Sequence, residues 1–98
     1  MEKQDVFELL KTVDDPELGV NIVDLGLVYN VNIIETGIVD ITMTLTTPGC
    51  PLHDSIKTGV INAVSLHEET REVHVNIVWE PEWTPDKMSK AAKAFLWG

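Results

Sequence analysis

Apolar positions along the chain change period several times, and each change marks an element. Val6, Leu9, Leu10 and Val13 recur at i, i+3, i+4 and i+7, the stripe of a first helix. Asp14-Asp15-Pro16 closes it, because a residue before proline avoids the helical region. From Glu17 to Leu27 the pattern is irregular or weakly extended, with Asp24 and Gly26 set among Ile22, Val23, Leu25 and Leu27. Two strands follow. Tyr29, Val31 and Ile33 alternate with Asn30 and Asn32; Val39, Ile41, Met43 and Leu45 alternate with Asp40, Thr42, Thr44 and Thr46. Glu35-Thr36-Gly37 between them reads as a hairpin turn. A second helix carries Leu52, Ile56, Val60, Ala63 and Val64 on one face, and Pro51 suits its first position. A third strand sets Val73, Val75, Ile77 and Trp79 against His74, Asn76 and Val78. Thr84-Pro85-Asp86 then starts a last helix with Met88, Ala91, Ala92, Phe95 and Leu96 as its buried stripe.

The order α-β-β-α-β-α predicts one α/β domain over residues 1–98, an α+β two-layer fold with a small mixed sheet. Helices should cover one face of the sheet. The face with Thr, Asn and His74 should meet water or a partner. A hairpin makes the first two strands antiparallel, and a helical crossover makes the last two parallel. Three segments should therefore meet at one sheet edge: the loop with Glu17 and Asp24, residues 46–51, and residues 79–83. Sites in such sheets favour the carboxyl ends of parallel strands.

Composition narrows the possible roles. The 98 residues are 44% hydrophobic, which allows a core without disulfides or a structural metal. A net charge of −9 argues against nucleic acid and anionic membrane surfaces, both of which need clustered Lys and Arg. No apolar run is long enough to span a membrane. A single cysteine excludes an intramolecular disulfide, and Met1-Glu2-Lys3-Gln4-Asp5 lacks a signal-peptide pattern, so a cytoplasmic location is expected.

Cys50 carries the most chemistry. Proline at the first helical position puts it at or beside a helix N-cap, where unpaired N–H groups and the helix dipole favour thiolate. A buried inert thiol is the competing reading, but a Pro-Gly-Cys-Pro loop is a poor place to hide a side chain. His53, three residues on, could chelate a metal with Cys50, or be an exposed first-turn histidine. Asp24 could orient the cysteine loop, accept N–H bonds, or act as base or ligand; equally, it could cap a turn. Glu17 reads first as a turn residue. Trp79, in phase with Val75 and Ile77, reads as core, and Trp83 as rim or interface.

Asp15-Pro16-Glu17-Leu18, Asn21 to Val28, Met43 to Pro51, Val78-Trp79-Glu80-Pro81 and Trp83 resemble the SufT/PaaD-type iron–sulfur cluster assembly domain, from about Val6 to Ser89. The resemblance implies a two-layer α/β fold and a role in maturing iron–sulfur proteins, or in some members in assembling an oxygenase complex. It makes Cys50 the prime candidate for cluster or metal binding, and Glu17, Asp24 and Thr46 match other marked positions.

The expected function is thus a non-enzymatic assembly, carrier or maturation factor. Its partners would be the assembly machinery or client apoproteins. A cluster usually takes four protein ligands, so one cysteine implies a homo-oligomer or hetero-complex. The cluster would be transient or shared between subunits, or absent from the protein as purified. Two alternatives stand beside it. One is a thiol enzyme with Cys50 as nucleophile and His53 or His67 as base. The other is a pure protein–protein adaptor.

Overall fold

The computed structural model describes residues 1–35, 37–46 and 53–97, with the backbone alone at His53 and Trp97. The expectations for Cys50, Pro51 and Leu52, and for the side chain of His53, fall outside the described residues.

Helix α1 (Lys3–Leu10) buries Val6 and Leu10. It stops earlier than Pro16 would require. The Thr12 hydroxyl donates to the Leu9 carbonyl at 2.6 Å, and the Thr12 and Val13 amides fold back onto Leu9 and Leu10. This side-chain competition with the backbone ends the helix locally. The stretch expected to be irregular contains a small antiparallel ribbon, β1 (Asp14–Asp15) with β2 (Val20–Asn21). Its turn is closed by Asp15: the carbonyl accepts from Leu18 and Gly19, and Oδ1 accepts from the Glu17 amide at 2.8 Å. Asp15 is consequently a buried acid with its bonds made locally.

The main sheet runs β3 (Val28–Ile34), β4 (Ile38–Met43) and β5 (Glu72–Ile77), with β4 central. β3–β4 is antiparallel and β4–β5 parallel, the mixed sheet that the pattern predicts. Register aligns the apolar side in rows: Ile33–Val39–Val73, Val31–Ile41–Val75 and Val28–Met43–Ile77. On the other side Asn30–Thr42–Asn76 and Asn32–Asp40–His74 align, and Asn76 Nδ2 donates to Asp40 Oδ1 at 2.6 Å.

Helix α2 (His53–Ser65) covers the apolar side with Ile56, Val60, Ala63 and Val64, and α1 packs beside it. Helix α3 (Lys90–Trp97) begins later than Thr84. Pro85–Lys87 form a single 3₁₀ turn, and Met88 is extended. The chain is pulled out of helix there because the Ser89 amide donates to the Asp24 carbonyl at 2.7 Å. The hydroxyl of Ser89, not that of Thr84, accepts the Ala92 amide and so caps α3. Met88 and Ala92 are buried, whereas Phe95 of the expected stripe is exposed.

Candidate functional site at the carboxyl end of the sheet

β4 and β5 end side by side, and β3 begins next to them. The Val78 amide donates to the Met43 carbonyl, and the Thr44 amide to the Leu27 carbonyl, each within 2.9 Å. Beyond Ile77 the chain crosses this end as a strap. Trp83 Nε1 donates to the Leu25 carbonyl at 2.6 Å, and the Tyr29 hydroxyl to the Pro81 carbonyl at 2.6 Å. Tyr29 reaches the strap from a register slip between Val28 and Asn30, an irregularity of the kind that re-aims a side chain. Partial burial pushes its phenol above its ordinary pKa. Lys87 Nζ lies 5.1 Å from the centre of the Tyr29 ring, within cation–π range.

Gly26 makes the close approach possible. Its φ is +79°, and a Cβ there would stand 2.3 Å from the Lys87 carbonyl oxygen. A side chain at this position would push the strap off the loop.

Strap and strand end enclose a cleft of about 230 Å³ lined by Thr44, Leu45, Thr46, Trp79, Glu80, Glu82 and Trp83. Thr44 was expected on the exposed face. The sheet ends at Met43, however, so strand parity no longer applies, and Thr44 is 1% exposed. The two tryptophans exchange their expected places, Trp79 because β5 has ended and Trp83 because its indole finds a distant partner. Trp79 lies past the last residue of β5 and is 39% exposed. Trp83 packs half-buried against the core, its indole N–H anchored.

The predicted site residues are distributed over this end of the molecule. Thr46 lines the cleft. Asp24 lies outside it, in a groove with Asn21, Ala91 and Phe95. Its carboxylate accepts from Asn21 Nδ2 at 2.7 Å, while Asn21 Oδ1 accepts the Val23 and Asp24 amides. Asp24 thus helps to hold its own turn. Glu17 is exposed at the ribbon turn. Its neighbour Pro16 lines a third groove with Ser55 and Ile56, close to the start of α2. Cys50 lies outside the described residues, on the connection between Thr46 and His53. Among the described residues no three His, Cys, Asp or Glu side chains converge to hold a metal.

His67 is separated from the start of α2 by the helix's 13 residues, about 20 Å at 1.5 Å each. Its Nδ1 accepts the Glu69 amide. Sequence reasoning missed Thr44 and the Asn21 turn; Asn21, three residues before Asp24, was the available signal for the turn.

These features define a small α+β domain with an open, acidic, tryptophan-lined site where its parallel strands end. The family model described as iron-sulfur cluster assembly protein matches residues 3–77, and the chain belongs to that family. It is 50% identical over 94 residues to the Fe-S protein maturation auxiliary factor YitW of Bacillus subtilis (strain 168), covering 96% of this chain and 92% of that protein. It is 48% identical to the Fe-S protein maturation auxiliary factor SufT of Staphylococcus aureus (strain USA300), covering 86% and 96%. A crystal structure of a domain of unknown function (DUF59) from Bacillus anthracis superposes with a TM-score of 0.90 at 43% identity, covering 93% of this chain and 87% of that one.

Proposed function

We propose that this chain is an iron–sulfur protein maturation factor that carries or helps to place a cluster as cargo, turning over no substrate of its own. The observation that carries the reading is the family match over residues 3–77, which includes Cys50. The site geometry supports it. Thr46 and His53 bound a short connection at the open end of the sheet, the usual place for function in a parallel-stranded unit. A thiolate there would be a soft ligand suited to iron–sulfur chemistry.

One thiolate leaves a cluster short of its usual four protein ligands. The cargo would therefore be held between two copies of the chain, or between this chain and a client apoprotein or assembly partner, in the cytoplasm. Glu17 and His53 are the candidates for completing the set, and Thr46 the candidate for supporting the loop. Asp24 would act one step further out, by holding its turn.

The test is anaerobic reconstitution with iron and sulfide of the wild type and of Cys50→Ser, reading bound iron, sulfide and mass in solution. Wild type should bind both and shift toward a dimer, and Cys50→Ser should lose most of the iron. Equal iron and sulfide in the two proteins would overturn Cys50 as the ligand.

A further inference from the structure

We infer that the outer face of α3 is a two-fold contact that seats a second copy of this chain. The inference rests on the maturation reading only for the use of the contact, which would bring two carriers together around shared cargo.

Helix α3 has apolar residues on two sides. Ala92 is buried and Leu96 half-buried against the core. Ala91, Ala94 and Phe95, at i, i+3 and i+4, form a second strip on the outside. All three are exposed, Phe95 at 69%. A helix that packs only once needs one apolar stripe, so the second strip is free for a second partner. Phe95 and Ala91 also border a groove of about 220 Å³ with Gly19, Val20, Asp14 and Asp24. The helix lies beyond the family match, which ends at residue 77.

Charge identifies the occupant. The chain carries a net charge of −9, yet α3 has no acid, whereas α1 carries Asp5 and Glu8 and α2 carries Asp54. At 3.6 residues per turn, the order around α3 is the groove, Phe95, Ala91, Ala94, Lys90 and Lys93. Acids therefore border one side of the apolar strip and lysines the other. Asp14, Lys90 and Lys93 form no ion pair with a described residue. A second copy turned about a two-fold axis along α3 lays its lysines over the acidic groove and its groove over the lysines. The same turn sets Phe95 of each copy against Ala94 of the other, large against small. One patch is then complementary to itself, the condition for a closed two-fold pair. An axis across the helix would instead face acids with acids and lysines with lysines, so the two helices run parallel.

Place and size fit that use. The groove and the strap share one loop, in which the Asp24 carbonyl accepts the Ser89 amide and the Leu25 carbonyl accepts the Trp83 indole. The second copy would sit beside the functional end of the sheet. A contact built on an eight-residue helix falls short of the roughly 800 Å² per partner of a standard interface, so pairing without cargo is weak and reversible.

The test uses the full chain under reductant and without iron. Sedimentation equilibrium and amide chemical shifts across a concentration series read association. The wild type should move from monomer toward dimer as it approaches about 1 mM, with the shifts centred on residues 90–95 and the groove. Phe95→Gln should weaken pairing about tenfold with an unchanged circular-dichroism spectrum, since the ring is exposed in the monomer. Asp14→Lys and the double variant Lys90→Glu/Lys93→Glu should each weaken it, and the triple variant should regain most of the loss. A chain that stays monomeric throughout would assign the face to a different protein and overturn the inference. So would a dimer indifferent to Phe95→Gln, shifts centred elsewhere, or a triple variant no tighter than its parents. Because no iron is present, failure here is independent of the Cys50 reconstitution.

Discussion

The three-stranded sheet and the strap that crosses its end are held by opposite means. In the sheet, Val31, Val39, Ile41 and Met43 are almost fully buried in aligned rows, and α1 and α2 add Val6, Leu10, Ile56, Val60 and Val64. Such burial is non-directional, and no single atom decides it. Residues 78–89, apart from buried Met88 and the half-buried ring of Trp83, depend instead on a few directed bonds: Trp83 to the Leu25 carbonyl, Tyr29 to the Pro81 carbonyl, and the Ser89 amide to the Asp24 carbonyl. Area holds the scaffold, and placed donors hold the site. The site can therefore be loosened while the scaffold stays folded, which suits the exchange of partners proposed for it.

The largest test of that contrast is Ile41→Ala, at the centre of the middle strand and 0% exposed. It should cost about 2–5 kcal/mol in urea denaturation, since the cavity would sit where little can collapse. A cost no larger than that of the strap variants would erase the contrast. Trp83→Phe comes next. It keeps most of the ring and removes the donor to the Leu25 carbonyl, a loss of about 1–3 kcal/mol. Hydrogen exchange should quicken in residues 79–89 and not in β4; equal quickening in both would mean that strap and sheet open together.

Tyr29→Phe is the smallest, about 0.5–1.5 kcal/mol near neutral pH, because only one exposed hydrogen bond is lost. Its pH dependence sharpens the test. Burial raises the Tyr29 pKa, so above the unfolded value of about 10 the folded chain holds a proton that the unfolded chain releases. Stability is full below that value and falls as pH climbs through the raised folded value. Tyr29→Phe should flatten this fall, and identical alkaline slopes would dissociate the phenol from the strap.

Much of the scaffold was legible in one dimension. Period-two runs placed Val31, Ile41 and Val75 inward and His74 outward, and the crossover logic predicted a parallel β4–β5 pair. The candidate site was legible as a meeting of segments but not as a list of neighbours. Residues 25–27, 44–46 and 79–83 do meet, while Asp24 lies in a groove beside α3 and Glu17 is exposed at the ribbon turn. Parity misplaced Thr44 and Trp79 because it holds only while a strand remains paired, and β4 and β5 end at Met43 and Ile77; Trp83, in no strand pattern, is packed against the core through a partner far off in sequence.

The chain by itself determined the helices' apolar faces, the strand faces, the acidic surface and the lone thiol. These follow from local period and composition, which neighbouring residues encode. Only the tertiary structure decided which tryptophan is anchored and which stays exposed, that Ser89 rather than Thr84 caps α3, and that Thr44 turns inward. Each of those outcomes depends on a partner that is distant in sequence or on the point where a strand stops pairing. For Trp83 that partner is the Leu25 carbonyl, 58 residues away, which no local pattern records.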